Sequence, residues 1–157
     1  VDSFGYAEPP WPTSMDMYRE IRKVTPDSLT YLLEDNFKYI TLYNNGITSA
    51  TAKMNPDSSW SVNVSITADK VHADSLGKET KVPVNDWMDI AVERKPAFGK
   101  NAKKELNDVP LVQQRVKLKS GANTFTFTVP EKPLAVVIDP DHLFFDRLPE
   151  DNRKKVE

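Results

Sequence analysis

Hydrophobic positions along this chain change period once. Up to about residue 37 they recur at helical spacing, and beyond it they alternate. Met17, Tyr18, Ile21 and Val24 fall at i, i+1, i+4 and i+7, one face of a helix over residues 14–23. Thr13 and Asp16 have capping-box spacing at its start, and Arg19, Arg22 and Lys23 lie toward its C-terminal end, where cations suit the dipole. Thr25-Pro26-Asp27 then reads as a second start, with Thr25 as N-cap and Pro26 as first helical residue. Leu29, Leu32 and Leu33 form its apolar stripe up to Phe37.

From Tyr39 the alternation takes over. Ile40 and Leu42 open a strand, Asn44-Asn45-Gly46 reads as a turn, and residues 47–54 form a second strand before a turn at Asn55-Pro56-Asp57-Ser58. Trp60, Val62, Val64, Ile66 and Ala68 alternate with Ser61, Asn63, Ser65 and Thr67, the signature of a strand buried on one face. The phase slips at Asp69-Lys70, where Val71 and Ala73 take the apolar parity, and a bulge or strand end is expected there. Residues 74–83 read as a loop or weak edge strand. Residues 86–93 place Met88, Ile90 and Val92 on one face. A strand over residues 111–119 turns Val112, Val116 and Leu118 inward, and Ser120-Gly121-Ala122-Asn123 reads as a hairpin turn into Phe125, Phe127 and Val129. The nearly continuous apolar run 134–138 fits a central strand, Phe144-Phe145 a short last one, and residues 149–157 a charged tail that frays.

These elements predict a mainly β fold: an immunoglobulin- or fibronectin-like antiparallel β-sandwich preceded by one or two short N-terminal α-helices. The division expected is an extended strap plus helices over residues 1–36, a sandwich over 37–148 and the tail over 149–157. The strap is the proline-rich YAEPPWP of residues 6–12, which forbids helix and suits an extended segment lying on a neighbouring surface better than a free SH3 ligand.

Composition narrows the function classes. At 157 residues the chain is long enough for one domain with a real core. With 21 basic and 23 acidic residues it lacks the positive excess of a nucleic-acid binder. Without cysteine it has no disulfide and no thiolate chemistry, and no apolar run approaches the ~20 residues of a membrane span. It opens with no initiator methionine and no signal-peptide pattern, and the expectation is a piece of a longer polypeptide.

Candidate chemistry is sparse. His72 and His142 stand outside any H-E-x-x-H arrangement, and no G-x-S-x-G or phosphate-loop motif occurs. Asp139, Asp141 and Asp146 lie in one acidic stretch with Glu150 and Asp151, weak candidates for Ca²⁺, although Asp139-Pro140-Asp141 reads better as a turn opener. The lysines of residues 95–108 are interleaved with acids and read as a solvated loop. Trp60 sits on the buried parity. Trp87 sits on the polar parity, an exposed interface anchor or a residue buried under the strap.

Four segments carry a family resemblance: T-P-D-S-L-x-Y-L-L-E-D at residues 25–35, I-T-L-Y at 40–43, V-P-V-N-D-W-M-D-I at 82–90 and I-D-P-D-H-L-F-F-D-R-L-P-E-D-N at 138–152. They resemble the C-terminal end of bacterial M1-family aminopeptidase-like proteins, in the membrane-anchored group fused to ABC-transporter-type permease helices. The resemblance covers nearly the whole chain. It implies a non-catalytic C-terminal module that packs on or positions a preceding peptidase-like module at the periplasmic, extracytoplasmic face. The zinc motif H-E-x-x-H-x₁₈-E belongs upstream, none of it is present here, and zinc is expected only in that module. The chain by itself is then no enzyme and needs no cofactor. Its partner is the preceding module, with no nucleic acid and no membrane insertion by this segment, and contact is expected through Trp11, Met17, Tyr18, Ile21 and Trp87. A stand-alone carbohydrate- or peptide-binding module, using Trp87 and the 95–108 loop, is the alternative. A small enzyme built on the C-terminal aspartates is a third reading.

Overall fold

The computed structural model describes residues 11–96 and 109–157. Most of the strap and most of the lysine-rich loop therefore lie outside the described residues.

The chain forms a β-sandwich of two antiparallel sheets behind two short helices. Helix α1 (Ser14–Val24) starts at the predicted capping box: the Thr13 hydroxyl accepts from the Asp16 amide, and the Asp16 carboxylate accepts from the Thr13 amide at 2.8 Å. Helix α2 (Thr30–Phe37) follows a single 3-10 turn at Asp27–Leu29. Thr25 does not cap α2. Its hydroxyl donates to the Ile21 carbonyl, so it closes α1 instead, and the helix with proline near its start is only the 3-10 turn.

The first sheet holds β1 (Ile40–Met54), β2 (Trp60–Ala73), β3 (Glu79–Val82) and β6 (Gly121–Val129), with β1 on one side of β2 and β3 and β6 on the other. The second runs in the order β5 (Val112–Lys119), β4 (Asn85–Arg94), β7 (Pro133–Ile138), β8 (Arg153–Lys155). Their inner faces share one core, in which Val62, Val64 and Ile66 meet Met88, Ile90, Val92, Leu118, Val136 and Ile138.

The expected turn at Asn44-Asn45-Gly46 is absent. The strand runs straight through, because burial alternation continues over Tyr43, Asn45 and Ile47. Gly46 serves close approach rather than turning: a Cβ there would lie 2.8 Å from Oδ2 of Asp151. Nor does β2 slip at Lys70. Its inward parity passes from Ala68 to Lys70, which is buried, and the register shift of the β1–β2 ladder sits in β1 between Ile47 and Ser49.

Ser120-Gly121 is not a hairpin either. Strands β5 and β6 belong to different sheets, and Gly121 at φ 82° turns the chain across the sandwich. Another crossing, before β4, is tied to it, since the Val84 amide donates to the Ser120 hydroxyl at 2.8 Å. The terminal residues do not fray. A 3-10 turn at Pro149–Asn152 leads into β8 on β7, and Glu157 exchanges backbone hydrogen bonds with Ala50 and Ala52 of β1. The Phe144-Phe145 segment makes only a parallel bridge, with Asp146 opposite Tyr43.

Candidate functional site

The most unusual chemistry in the fold is a buried ionic cluster at the end of the sandwich that α2 closes. Three elements feed it. The alternation of β2 turns Lys70 inward, the alternation of β4 places Asp86 on the same parity as Met88 and Ile90, and α2 lowers Asp35 onto both. The Lys70 ammonium lies 2.9 Å from Asp35 and 2.9 Å from Asp86, with side chains 6%, 9% and 2% exposed. The Tyr43 hydroxyl of β1 donates to the same Asp86 oxygen at 2.9 Å, and His72 Nε2 lies 2.8 Å from the other Asp35 oxygen. Tyr39 stacks on the His72 ring at 4.1 Å, and the rings of Tyr31 and Tyr43 lie within 6 Å of the ammonium.

Burial alone would lower the basicity of Lys70. The hydrogen bonds and charges of Asp35 and Asp86 outweigh it and hold the ammonium above its ordinary value. Burial, then the Asp86 charge and hydrogen bond, push the Tyr43 phenol well above its usual range. Both shifts favour the protonated forms, the ammonium over the free amine and the phenol over the phenolate. The arrangement ties together α2, the first sheet through β1 and β2, and the second sheet through β4. Its chemistry is that of a bolt.

Beside the bolt, a groove of about 480 Å³ runs between α2 and the second sheet, lined by Leu29, Leu32, Trp87, Met88, Leu143 and Phe144. Trp87 stands at its rim, 45% exposed, with the Lys117 ammonium 5.7 Å from the ring centroid. It is thus neither fully covered nor free of contact.

The other residues singled out from sequence are spread over the surface. Trp11 is 66% exposed and Met17 50%. Tyr18 and Ile21 are half-buried, and Tyr18 meets Phe37 edge-on at 6.0 Å. Helix α1 fully buries no residue, and Met17 and Val24 of its apolar face are exposed.

The acidic stretch accepts from backbone amides at Asp139 and Asp146 and from a side-chain amide at Asp141. Asp139 accepts from the amides of Leu143 and Phe144, Asp146 from those of Asn45 and Leu148, and Asp141 from the Gln113 amide group. Among the described residues no three His, Asp or Glu side chains converge as a metal would need. Asp151 is pushed above the usual carboxylate range by burial and then by the charges of Asp146 and Glu150.

Sequence reasoning missed the bolt entirely, although one signal was available. A lysine at the inward parity of an unbroken alternation is a buried cation needing a partner, and Asp86 shares the inward parity of its own strand.

Among the described residues no helix is long and apolar enough to cross a membrane. In comparisons with protein-family models, curated proteins and solved structures, nothing matches this chain.

Proposed function

We propose that this chain is a non-catalytic, immunoglobulin/fibronectin-like module that packs on and positions a preceding peptidase-like module of the same polypeptide, on the extracytoplasmic side of a bacterial membrane. One observation carries the reading. The helical segment that leads into the sandwich is fixed to it by the Asp35–Lys70–Asp86 cluster, while on the apolar face of α1 Tyr18 and Ile21 are half-buried and Met17 and Val24 stay exposed among the described residues. A rigid body that holds a partly exposed apolar helix face at its N-terminal side is suited to transmit position to whatever precedes it. The zinc and the catalysis belong to that preceding module, and no residue of this chain has a catalytic role.

The test is the coding sequence upstream of Val1. An H-E-x-x-H segment followed by the third ligand glutamate is expected, and a start codon immediately before Val1 overturns the reading. The purified chain, supplied with Zn²⁺, is expected to leave amino-acid arylamides uncleaved, and zinc-dependent cleavage would equally overturn it.

The groove under Trp87 favours one other reading, a carbohydrate- or peptide-binding module. That reading requires binding on a glycan or peptide panel that Trp87→Ala abolishes, and a flat panel removes it.

A further inference from the structure

Among the described residues four strand edges are protected and one is not. The free side of β1 is covered by Phe145 and Arg147 at Tyr43 and by Glu157 at Ala50 and Ala52. Strands β3 and β8 are four and three residues long and carry Lys81 and Arg153-Lys154-Lys155. Strand β5 carries Arg115, Lys117 and Lys119. Short length and charge are the usual means by which an edge is kept from pairing. Strand β6 has neither. It runs nine residues, GANTFTFTV, with no charge and no proline, pairs with β2 without a register shift, and has no partner on its other side among the described residues.

The ladder fixes which groups that edge offers. Tyr43 spends its backbone N–H and C=O on Phe145 and Arg147, and the Ser65 carbonyl faces β1, where the Thr48 hydroxyl donates to it. Bonding direction alternates along each strand, so the even residues of β2 face β6 and meet its odd residues. Thr124, Thr126 and Thr128 therefore direct their backbone N–H and C=O groups away from β2. The Asn123 side chain ties back to the Lys119 backbone, so the open stretch begins at Thr124.

We infer that β6 is a dimerisation strand and that a second copy of this chain occupies its edge, extending the first sheet across a two-fold axis at Thr126. The occupant follows from the sequence of the edge. Residues 124–128 read T-F-T-F-T, the same in both directions, and a two-fold interface must be self-complementary. Antiparallel pairing about Thr126 sets Thr126 against its own copy and Thr124 against the second copy's Thr128. All three outward-facing residues then fall in hydrogen-bonded pairs, each exchanging two backbone bonds. The exposed threonines meet on the outer face, the two phenylalanines stay on the inner one, and no charge meets its like.

Sedimentation of the full chain across a wide concentration range tests this. A reversible dimer is expected. Thr126→Lys and Thr126→Glu each set like charges against each other on the axis, and each is expected to weaken the dimer by at least about tenfold. An equimolar mixture of the two variants is expected to restore it. Amide hydrogen exchange of Thr124, Thr126 and Thr128 in the unaltered protein, slowing as concentration rises, reports the same contact without any substitution. A monomer at every concentration, an open-ended polymer, a dimer indifferent to both variants, a dimer that leaves those three amides unprotected, or a monomer that pairs this edge only with an added extended peptide would each overturn it.

Discussion

Replacing Lys70 by methionine is the sharpest test of the ionic bolt. Methionine keeps an unbranched side chain of similar reach and removes only the charge, so a packing defect is a minor part of the effect. What remains is two carboxylates, 9% and 2% exposed, facing the space where one ammonium had been 2.9 Å from each. Removing one partner of a buried ion pair costs about 3–5 kcal/mol, chiefly because the survivor is left desolvated and unpaired. Here two survivors repel each other, although Tyr43 still donates to Asp86 and His72 still lies against Asp35. A domain of this size has about 5–15 kcal/mol in all, and each kcal/mol moves Tm by about 2–4 °C, so a fall of roughly 6–20 °C is expected. Guanidinium unfolding at neutral pH, with the m-value checked for constancy, measures the change. A cycle of Lys70→Met with Asp35→Asn should be non-additive by about 0.5–3 kcal/mol, the double variant being less damaged than the sum. Lys70→Met within about 0.5 kcal/mol of the unaltered protein at pH 7, a difference ordinary for surface changes, would refute the reasoning.

Two further outcomes follow from the same neighbourhood and from β1. Lys70 and Tyr43 both hold their protons more tightly folded than unfolded, so the stabilisation they share is intact below about pH 10 and drains away as pH rises past the ordinary lysine and tyrosine values. Alkaline unfolding followed by circular dichroism should therefore begin near there, and Tyr43→Phe should make it less steep; an identical profile in the variant contradicts the assignment. Gly46→Ala, in a strand where alanine is usually no worse than glycine, brings a methyl group to 2.8 Å from Oδ2 of Asp151, the end of an exposed side chain, so the carboxylate should swing aside and the change should cost less than about 1 kcal/mol; a loss above about 2 kcal/mol in thermal unfolding would show that Asp151 is held in place.

The alternation of β2, β4 and β6 made the sandwich legible, since each pairs one buried face with one wet face. The same rule misled where a polar residue occupied the inner face. Lys70 reads as a break in phase because a lysine is expected to face outward, and Asn45 helps make a turn out of a strand interior because Asn-Gly is a turn pair in most surroundings. In both cases a long-range partner overrides the local preference: Asp35 and Asp86 for Lys70, and for Asn45 the Asp146 carboxylate on its amide with the Met88 sulfur beside its side chain. Residues 153–157 failed for a related reason. Their charge suggested solvent, but β7 and β1 offered unpaired backbone, and backbone pairing is indifferent to side-chain charge. Hairpin partners are also invisible locally, since Ser120-Gly121 has turn chemistry whether the chain reverses within a sheet or crosses between two.

The position of the bolt constrains what the helices can do. An ion pair of this kind is a poor source of net stability, because apolar residues of similar volume would serve as well or better. Its value is geometric. An apolar contact between α2 and the sandwich could slide by a turn at small cost, whereas Asp35 must meet both Lys70 and His72 in one register, and a shift leaves buried charge unpaired. The outer apolar face of α1 inherits that fixed orientation through its contact with α2, where Tyr18 packs on Phe37. Weakening the bolt at Asp35 should thus misdirect the helices before it unfolds the sheets. In Asp35→Asn, hydrogen exchange should quicken in α1 and α2 while β2 and β4 keep their protection, and a uniform loss of protection would show that the cluster holds the sandwich itself rather than the helices upon it.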